Sequence, residues 1–507
     1  METVILTGDD LDIEQAYHVA HDHYPVALSE EAANKMAASR AMVTRYLAEG
    51  KSVYGVTTGF GRFSDVLIPE DKRQELQINL LRSHSAGVGE PFGEEIVRGM
   101  MVLRANALAK GYSGIRESVV RLVIDMLNRG VVPVIPSQGS VGASGDLAPL
   151  AHLALVLIGE GWAQVHGGPK IPGGQALKSV GLEPVILEAK EGLALINGTQ
   201  AMGSLGVSAS TQAKFLGLWA DVAASLSIEA LRGIPMAFHP QVALVRPHPG
   251  QRIVQQHLRT MLEGSHLVTE PGELRMQDAY SLRATPQVHG ACLDALGHVQ
   301  EVLSREINSA TDNPLLFPEE ELVISAGNFH GEPLALVLDY LAILAAEWAN
   351  ISERRIERMV NPALSGLPPF LTRHGGVFSG LMLAQYTAAS LVSENKVWAH
   401  PSSVDSIPTS ANQEDHVSMG TTAGRKALMV VNNLRYVLSI ELLCGAQACD
   451  LLGPEHMAPR THAVYQWIRQ LVPPLEADRP LAPDIERIAE ALLASDTINW
   501  LENLLMA

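Results

Sequence analysis

Residues 138–152 of this chain read QGSVGASGDLAPLAH, and they set four small residues, Gly142-Ala143-Ser144-Gly145, between an apolar run (131–137) and an apolar, helix-like segment. Three common glycine-loop chemistries fail on residue type. A P-loop needs a lysine after its last glycine, whereas Asp146 follows Gly145 and would repel phosphate. A dinucleotide fingerprint needs Gly-x-Gly-x-x-Gly, but the glycines fall at Gly139, Gly142 and Gly145. A serine nucleophile elbow needs a glycine two residues after the serine, and Asp146 stands there instead. Two readings remain. In one, the stretch is a glycine loop ending on a helix that Asp146 caps, with Pro149 tolerated in the first turn. In the other, the backbone itself reacts: the Gly145 nitrogen attacks the Ala143 carbonyl and closes a five-membered ring, which the missing glycine Cβ leaves room for. Loss of one water from the ring, and of the Ser144 hydroxyl as a second, leaves an exocyclic methylene conjugated to an imidazolone. That group is an electrophile made without an external cofactor. A helix starting after Asp146 would turn its partially positive end towards it. The local pattern alone favours the capped loop.

The elements that must hold such a site are mainly helical. Helical patterning is expected at 95–111, 116–129 and 147–158, then in long runs at about 200–232, 287–309, 334–361, 377–399 and 420–451. These long runs exceed the usual helix length of about 11–12 residues. Small residues scattered among Leu, Val and Ile let helix axes approach closely, so the expected fold is a long-helix bundle. A smaller, loop-rich, mostly helical N-terminal part with a few short strands, such as VVPVI at 131–135, precedes it. The expected division is 1–200 and 201–507.

Composition narrows the class of partner. The 507 residues carry a formal charge of −18, which argues against nucleic acid or an anionic membrane. Cys292, Cys444 and Cys449 are too few for a disulfide framework and suggest a reducing compartment. The N-terminus turns acidic early, unlike a secretory signal, and Asp339 and Glu347 interrupt the best membrane-span candidate. The cytoplasm is the expected location. His18, His21 and His23 cluster without a matching carboxylate pattern, so no metal site is expected.

The Ala143-Ser144-Gly145 stretch does not stand alone. SVYGVTTGFGRFSDV (52–66) and NLLRSHSAGVG (79–89) stand before it, and EGLALINGTQAM (191–202), MQDAYSLRATPQVHG (276–290), SATDNPLLF (309–317), SAGNFHGEPLAL (325–336) and SVDSIPTSANQEDHVSMG (403–420) after it. With these blocks, nearly the whole chain resembles the aromatic amino acid ammonia-lyases and aminomutases. These enzymes use a 4-methylidene-imidazol-5-one (MIO) ring formed autocatalytically from such a tripeptide. The resemblance implies that Ala143, Ser144 and Gly145 form that ring, with no external cofactor. It also implies a homotetramer whose sites draw loops from more than one chain.

Roles follow position by position as the resemblance implies them. Tyr54 covers the site and transfers a proton, although a tyrosine in a glycine-rich loop has a bland reading too. Asn197 stands near the ring and the substrate carboxylate, where a turn-holding asparagine is the alternative. Gln277, Tyr280 and Arg283 recur at i, i+3 and i+6 and can share one side of a helix or helical turn. Arg283 is the expected carboxylate clamp, since its planar fork reaches both oxygens. Tyr280 donates at the ring, with Gln277 positioning. Phe329 lies beside the ring and His330 farther away.

Substrate choice rests on Ser83-His84 and Glu414, which resemble the histidine-specific branch. A carboxylate such as Glu414 can bind an imidazole N–H or take a proton in a closed pocket. The expected reaction is therefore elimination of ammonia from L-histidine to trans-urocanate, with no nucleic acid, membrane or metal involved. An aminomutase, or a tyrosine or phenylalanine ammonia-lyase, is the enzymatic alternative. A helical scaffold without the matured ring is the non-enzymatic one. Arg82 adds a charge next to the Ser-His pair.

Overall fold

The computed structural model describes residues 2–51, 53, 55–59 and 66–506. Its principal helices are α1 (Arg73–His84), α2 (Glu94–Ala109), α3 (Ala148–Leu157), α4 (Glu191–Ile196), α5 (Gln200–Ala230), α6 (Thr285–Glu306), α7 (Glu332–Val360), α8 (Met382–Trp398) and α9 (Gly420–Leu452). The five long runs expected from patterning are α5 to α9, with ends moved by a few residues. Asn361, which precedes Pro362, follows the last residue of α7, and its side chain accepts the Ala363 N–H to start the next short helix.

The strands are short, and those described here pair in twos and threes. Val4–Leu6 runs parallel to Val26–Leu28, and Val131–Pro133 pairs antiparallel with Trp162–Val165. Val88–Pro91 pairs with Pro136–Gln138, leading the chain into the glycine stretch. A mainly α fold with a few short strands is therefore what the chain adopts.

The compact units are not consecutive along the sequence. One comprises Met1–Thr211, Val299–Asp339 and Pro401–Arg425, and the other Gln212–His298, Tyr340–His400 and Lys426–Ala507. The 1–200/201–507 division expected above differs because later segments return to pack on the N-terminal part. In the first unit, α5 lies so close to α6 and α7 that a Cβ on Gly206 would sit 2.6 Å from Leu303 Cδ2 and 3.0 Å from Leu338 Cδ2. The small residues noted in these helices serve that approach. A fully buried ion pair, Lys190 Nζ to Asp312 Oδ2 at 2.8 Å, ties the start of α4 to the 309–317 segment.

The second unit is a helical core with a buried polar network. Arg355 on α7 pairs with Glu441 on α9, which also accepts the hydroxyls of Ser227 at 2.6 Å and Ser352 at 2.5 Å. Beside it, Asp221 on α5 holds His289 at 2.7 Å and His257 at 2.8 Å. Cys292, Cys444 and Cys449 are free and buried, and burial pushes their thiols up, away from reactivity. Helices α7 and α9 are long and apolar enough to cross a membrane by length and composition, despite Asp339 and Glu347. Of their apolar windows, 67% and 72% are buried, as core helices require.

Candidate active site

The glycine stretch reaches the first unit's core after the strand Pro136–Gln138 and makes a turn at Ala143 and Ser144. Ala143 is buried against Val417 and Met419, with Val141 packed alongside. The Met419 N–H donates to the Val141 carbonyl at 3.0 Å, so the 138–146 loop and the start of α9 are stitched together. Gly145 has φ +75 and forms a parallel bridge to Gly198. A Cβ there would meet the Gly198 oxygen at 2.2 Å, so no other residue fits without moving the α4–α5 turn.

Asp146 does not cap the helix that follows it. Helix α3 begins at Ala148 after Leu147, which makes no side-chain cap. Asp146 instead donates its N–H to the Gly198 carbonyl at 2.7 Å, and its Oδ2 accepts the Ala201 and Met202 N–H groups at 2.7 and 3.1 Å. It thus satisfies the free donors at the start of α5, a helix remote in sequence. Its Oδ1 takes the Thr421 hydroxyl from the first turn of α9, with Ser140 Oγ at 3.5 Å. Burial pushes the Asp146 carboxyl up to about 6, against the lowering effect of these four donors. Glu306 is a second buried carboxyl held above its ordinary range by burial, and the charge of Asp146 adds to the rise. Thr199 donates to Glu306 at 2.6 Å.

Asn197 closes α4 and is 4% exposed. Its carbonyl accepts from Arg104 Nη1 at 2.6 Å, while Arg104 Nη2 takes the Ala194 carbonyl at 2.6 Å. The backbone is therefore anchored, but the side-chain Oδ1 is buried with no hydrogen-bond partner among the described residues. A buried acceptor left open beside the 145–198 bridge is what a polar ligand would complete.

Glu414 arrives from a different direction. Thr409 and Glu414 pair across a tight loop, the Thr409 N–H donating to the Glu414 carbonyl at 2.9 Å. Within the loop Ser410, Ala411 and Asn412 have φ of 52, 52 and 65. Left-handed conformations cost non-glycine residues about 1–2 kcal/mol each, so this loop is held in a strained shape. The side chain of Glu414 accepts the Ser144 hydroxyl at 2.9 Å on Oε1 and the Thr409 hydroxyl at 2.9 Å on Oε2.

His84 ends α1 and is half-buried, with Nδ1 2.9 Å from the Leu80 carbonyl and 3.0 Å from Ser83 Oγ. Burial lowers its pKa, opposed by the Leu80 carbonyl and by the charge of Glu414, so the ring is neutral at neutral pH. With Nδ1–H donating to Leu80, Nε2 is left as an acceptor. Arg82 is exposed and occupied by Glu160 at 2.5 Å. Phe329 lies half-buried in the turn ahead of α7, and its neighbour His330 stacks on His416 with ring centroids 5.5 Å apart.

The first unit thus brings Ser144 and Glu414 into contact, puts His84 within the field of Glu414, and sets Asn197 next to the Gly198 bridge. Gln277, Tyr280 and Arg283 belong to the second unit. Only Tyr280–Arg283 forms a helical turn, and Gln277 sits in a bend before it, so the expected shared helix face is reduced to two residues. Tyr280 is 74% exposed, with the Arg283 guanidinium 4.7 Å from its ring centre. Tyr54 lies outside the described residues. Sequence reasoning missed Thr421, Ser140 and Thr409, whose lone hydroxyls carry no motif, and Arg104, which reads as an ordinary helix residue. Among the described residues no group of three His, Cys, Asp or Glu side chains is placed to hold a metal.

The sequence profile of the aromatic amino acid lyase family matches residues 11–470. The histidine ammonia-lyase of Symbiobacterium thermophilum is 57% identical over 490 residues, 97% of this chain and 96% of that protein. The crystal structure of histidine ammonia-lyase from Trypanosoma cruzi superposes with a TM-score of 0.93 at 44% identity, covering 99% of this chain and 96% of that one. Tyrosine aminomutase from Streptomyces globisporus superposes with a TM-score of 0.95 at 38% identity, covering 100% and 99%.

Proposed function

The chain belongs to the aromatic amino acid lyase family, and from that premise we propose that it eliminates ammonia from L-histidine to give trans-urocanate. It is a carbon–nitrogen lyase. The observation that carries the histidine reading is Glu414 on the Ser144 hydroxyl, with a neutral His84 within its field. Each presents an acceptor to an imidazole N–H. His84 Nε2 accepts the substrate imidazole N–H, or Glu414 does so while holding the ring in orientation.

The residues present fit an MIO ring built from Ala143, Ser144 and Gly145. Gly145 has no Cβ where none fits, Ala143 is buried away from water, and the open Asn197 acceptor adjoins the bridge. When formed, the ring supplies an electrophile that makes the amino group a better leaving group. Asn197 orients the polar end of the substrate. Arg283 clamps its carboxylate, Gln277 and Tyr280 assist, Phe329 lines the ring side, and Tyr54 removes the β-proton. These five assignments rest on the resemblance of their sequence blocks. The β-proton is weakly acidic, so placement of the base has a large effect on rate. A homotetramer in the cytoplasm completes the reading, in keeping with three free thiols.

The test combines product and mass. Purified protein is incubated with L-histidine, L-tyrosine and L-phenylalanine, and the intact chain is weighed. Urocanate from histidine, and a chain two waters lighter than its sequence, are the expected results. Predominant β-histidine would replace elimination by amino-group migration, and an unmodified mass would end the ring assignment.

A further inference from the structure

Ring formation has to dispose of the Ser144 hydroxyl, and the structure shows what touches it. Ser144 Oγ is hydrogen-bonded to Glu414 Oε1 at 2.9 Å. Asp146, the nearest acid in sequence, has both oxygens committed to Ala201, Met202, Thr421 and Ser140. The Glu414 carboxyl is itself aimed. Its second oxygen is held by Thr409 at 2.9 Å, and the Thr409–Glu414 backbone pair closes a loop kept in left-handed conformations at Ser410, Ala411 and Asn412. A loop this constrained is built to deliver one side chain to one place.

The chemistry of that place is specific. A serine hydroxyl leaves poorly as hydroxide and well as water, so its departure needs an acid within hydrogen-bond reach of Oγ. Binding of a substrate imidazole does not require Glu414 to touch Ser144. We propose that Glu414 is the proton donor of the second dehydration that matures the ring, an inference that rests on the MIO reading above. The step starts once the Gly145 nitrogen has closed on the Ala143 carbonyl carbon and the first water has left. The Cα–H bond of residue 144 then breaks and its proton passes to a solvent water. The released electron pair forms the Cα=Cβ double bond as the Cβ–Oγ bond breaks. Oγ takes the Glu414 proton and leaves as water, and the solvent returns a proton to the carboxylate. One water is lost and no oxidant or reductant is needed. Glu414 therefore acts first on the chain and later on the substrate, while Thr409 is a positioning residue for it.

Intact mass separates this role from any role in turnover. Wild type, Glu414→Gln and Thr409→Val are purified, checked for helical content by circular dichroism and weighed at intervals after synthesis. The glutamine keeps the shape but has no acidic proton to give. The expected result is a folded Glu414→Gln chain heavier than wild type by one or two waters. A Glu414→Gln chain that loses both waters as wild type does overturns the assignment. If that variant does not fold, Thr409→Val decides, since it keeps the carboxyl and removes its second anchor. Slower loss of the last water supports the proposal, and a wild-type rate overturns it. A wild-type chain of full sequence mass would instead sink the ring reading, and this assignment with it.

Discussion

Replacing Thr421 by valine tests how the reacting loop is held. The side chain is 2% exposed, and its hydroxyl donates to Asp146 Oδ1 from the first turn of α9. Valine keeps the volume and removes the donor. A hydrogen bond to a buried charged group contributes about 1.5–3 kcal/mol. At about 1.36 kcal/mol per tenfold change, Asp146 becomes roughly ten- to a hundredfold harder to ionise in the folded chain. Its carboxyl already stands at about 6, above the value of 3.8 expected of a free aspartate. The folded state therefore holds this proton more tightly than the unfolded state, and the contribution to stability falls as pH rises through 4 to 6. In the variant that fall continues to higher pH. The two proteins should differ least near pH 5, where the carboxyl is largely protonated in both, and most near pH 8. With about 2.1 cal/mol/K of unfolding entropy per residue, 507 residues give roughly 1.1 kcal/mol/K, so ~2 kcal/mol lowers the thermal midpoint by about 2 °C at pH 8. Differential scanning calorimetry of wild type, Thr421→Val and Thr421→Ser at both pH values reads the effect, and serine should restore most of it. An equal shift at pH 5 and 8, or none at either, would refute the idea that the Asp146 carboxylate leans on this hydroxyl.

Two further outcomes follow from other sites. Glu441→Leu strands the fully buried Arg355 without its partner, and breaking such a pair costs about 3–5 kcal/mol. Thermal unfolding should show the loss, and adding Arg355→Met should recover much of it, because two apolar residues leave no unpaired charge. Asn197→Ala removes a buried acceptor that has no described partner, so the thermal midpoint should move by no more than about 1 °C. Steady-state kinetics with histidine should nevertheless show kcat/KM falling at least roughly tenfold, the equivalent of about 1.4 kcal/mol of lost ligand contact. A large stability loss with unchanged kinetics would mean that Asn197 only holds its turn.

Local chemistry was legible in the linear chain. The spacing of apolar and small residues located the long helices to within a few residues, because helix period is a property of neighbours along the chain. The tripeptide Ala143-Ser144-Gly145 could be singled out because ring closure needs only adjacent residues and a missing Cβ. The resemblance of the blocks around it pointed to an imidazole-handling site at Ser83-His84 and Glu414. What pattern could not supply was the partner of each polar group. Asp146 reads as the cap of the helix that follows it, yet its carboxylate caps α5, more than fifty residues later, because the Gly145–Gly198 bridge carries it there. Ser144 and Glu414 meet across 270 residues of chain. The units divide inside helices, since Val299–Asp339 and Pro401–Arg425 pack with the N-terminal part. Each of these depends on burial bringing distant segments into contact, and a hydrogen bond between side chains far apart in sequence leaves no periodic mark on either segment. The sequence determined which residues can react, and only the tertiary structure decided which side chains hold them in place.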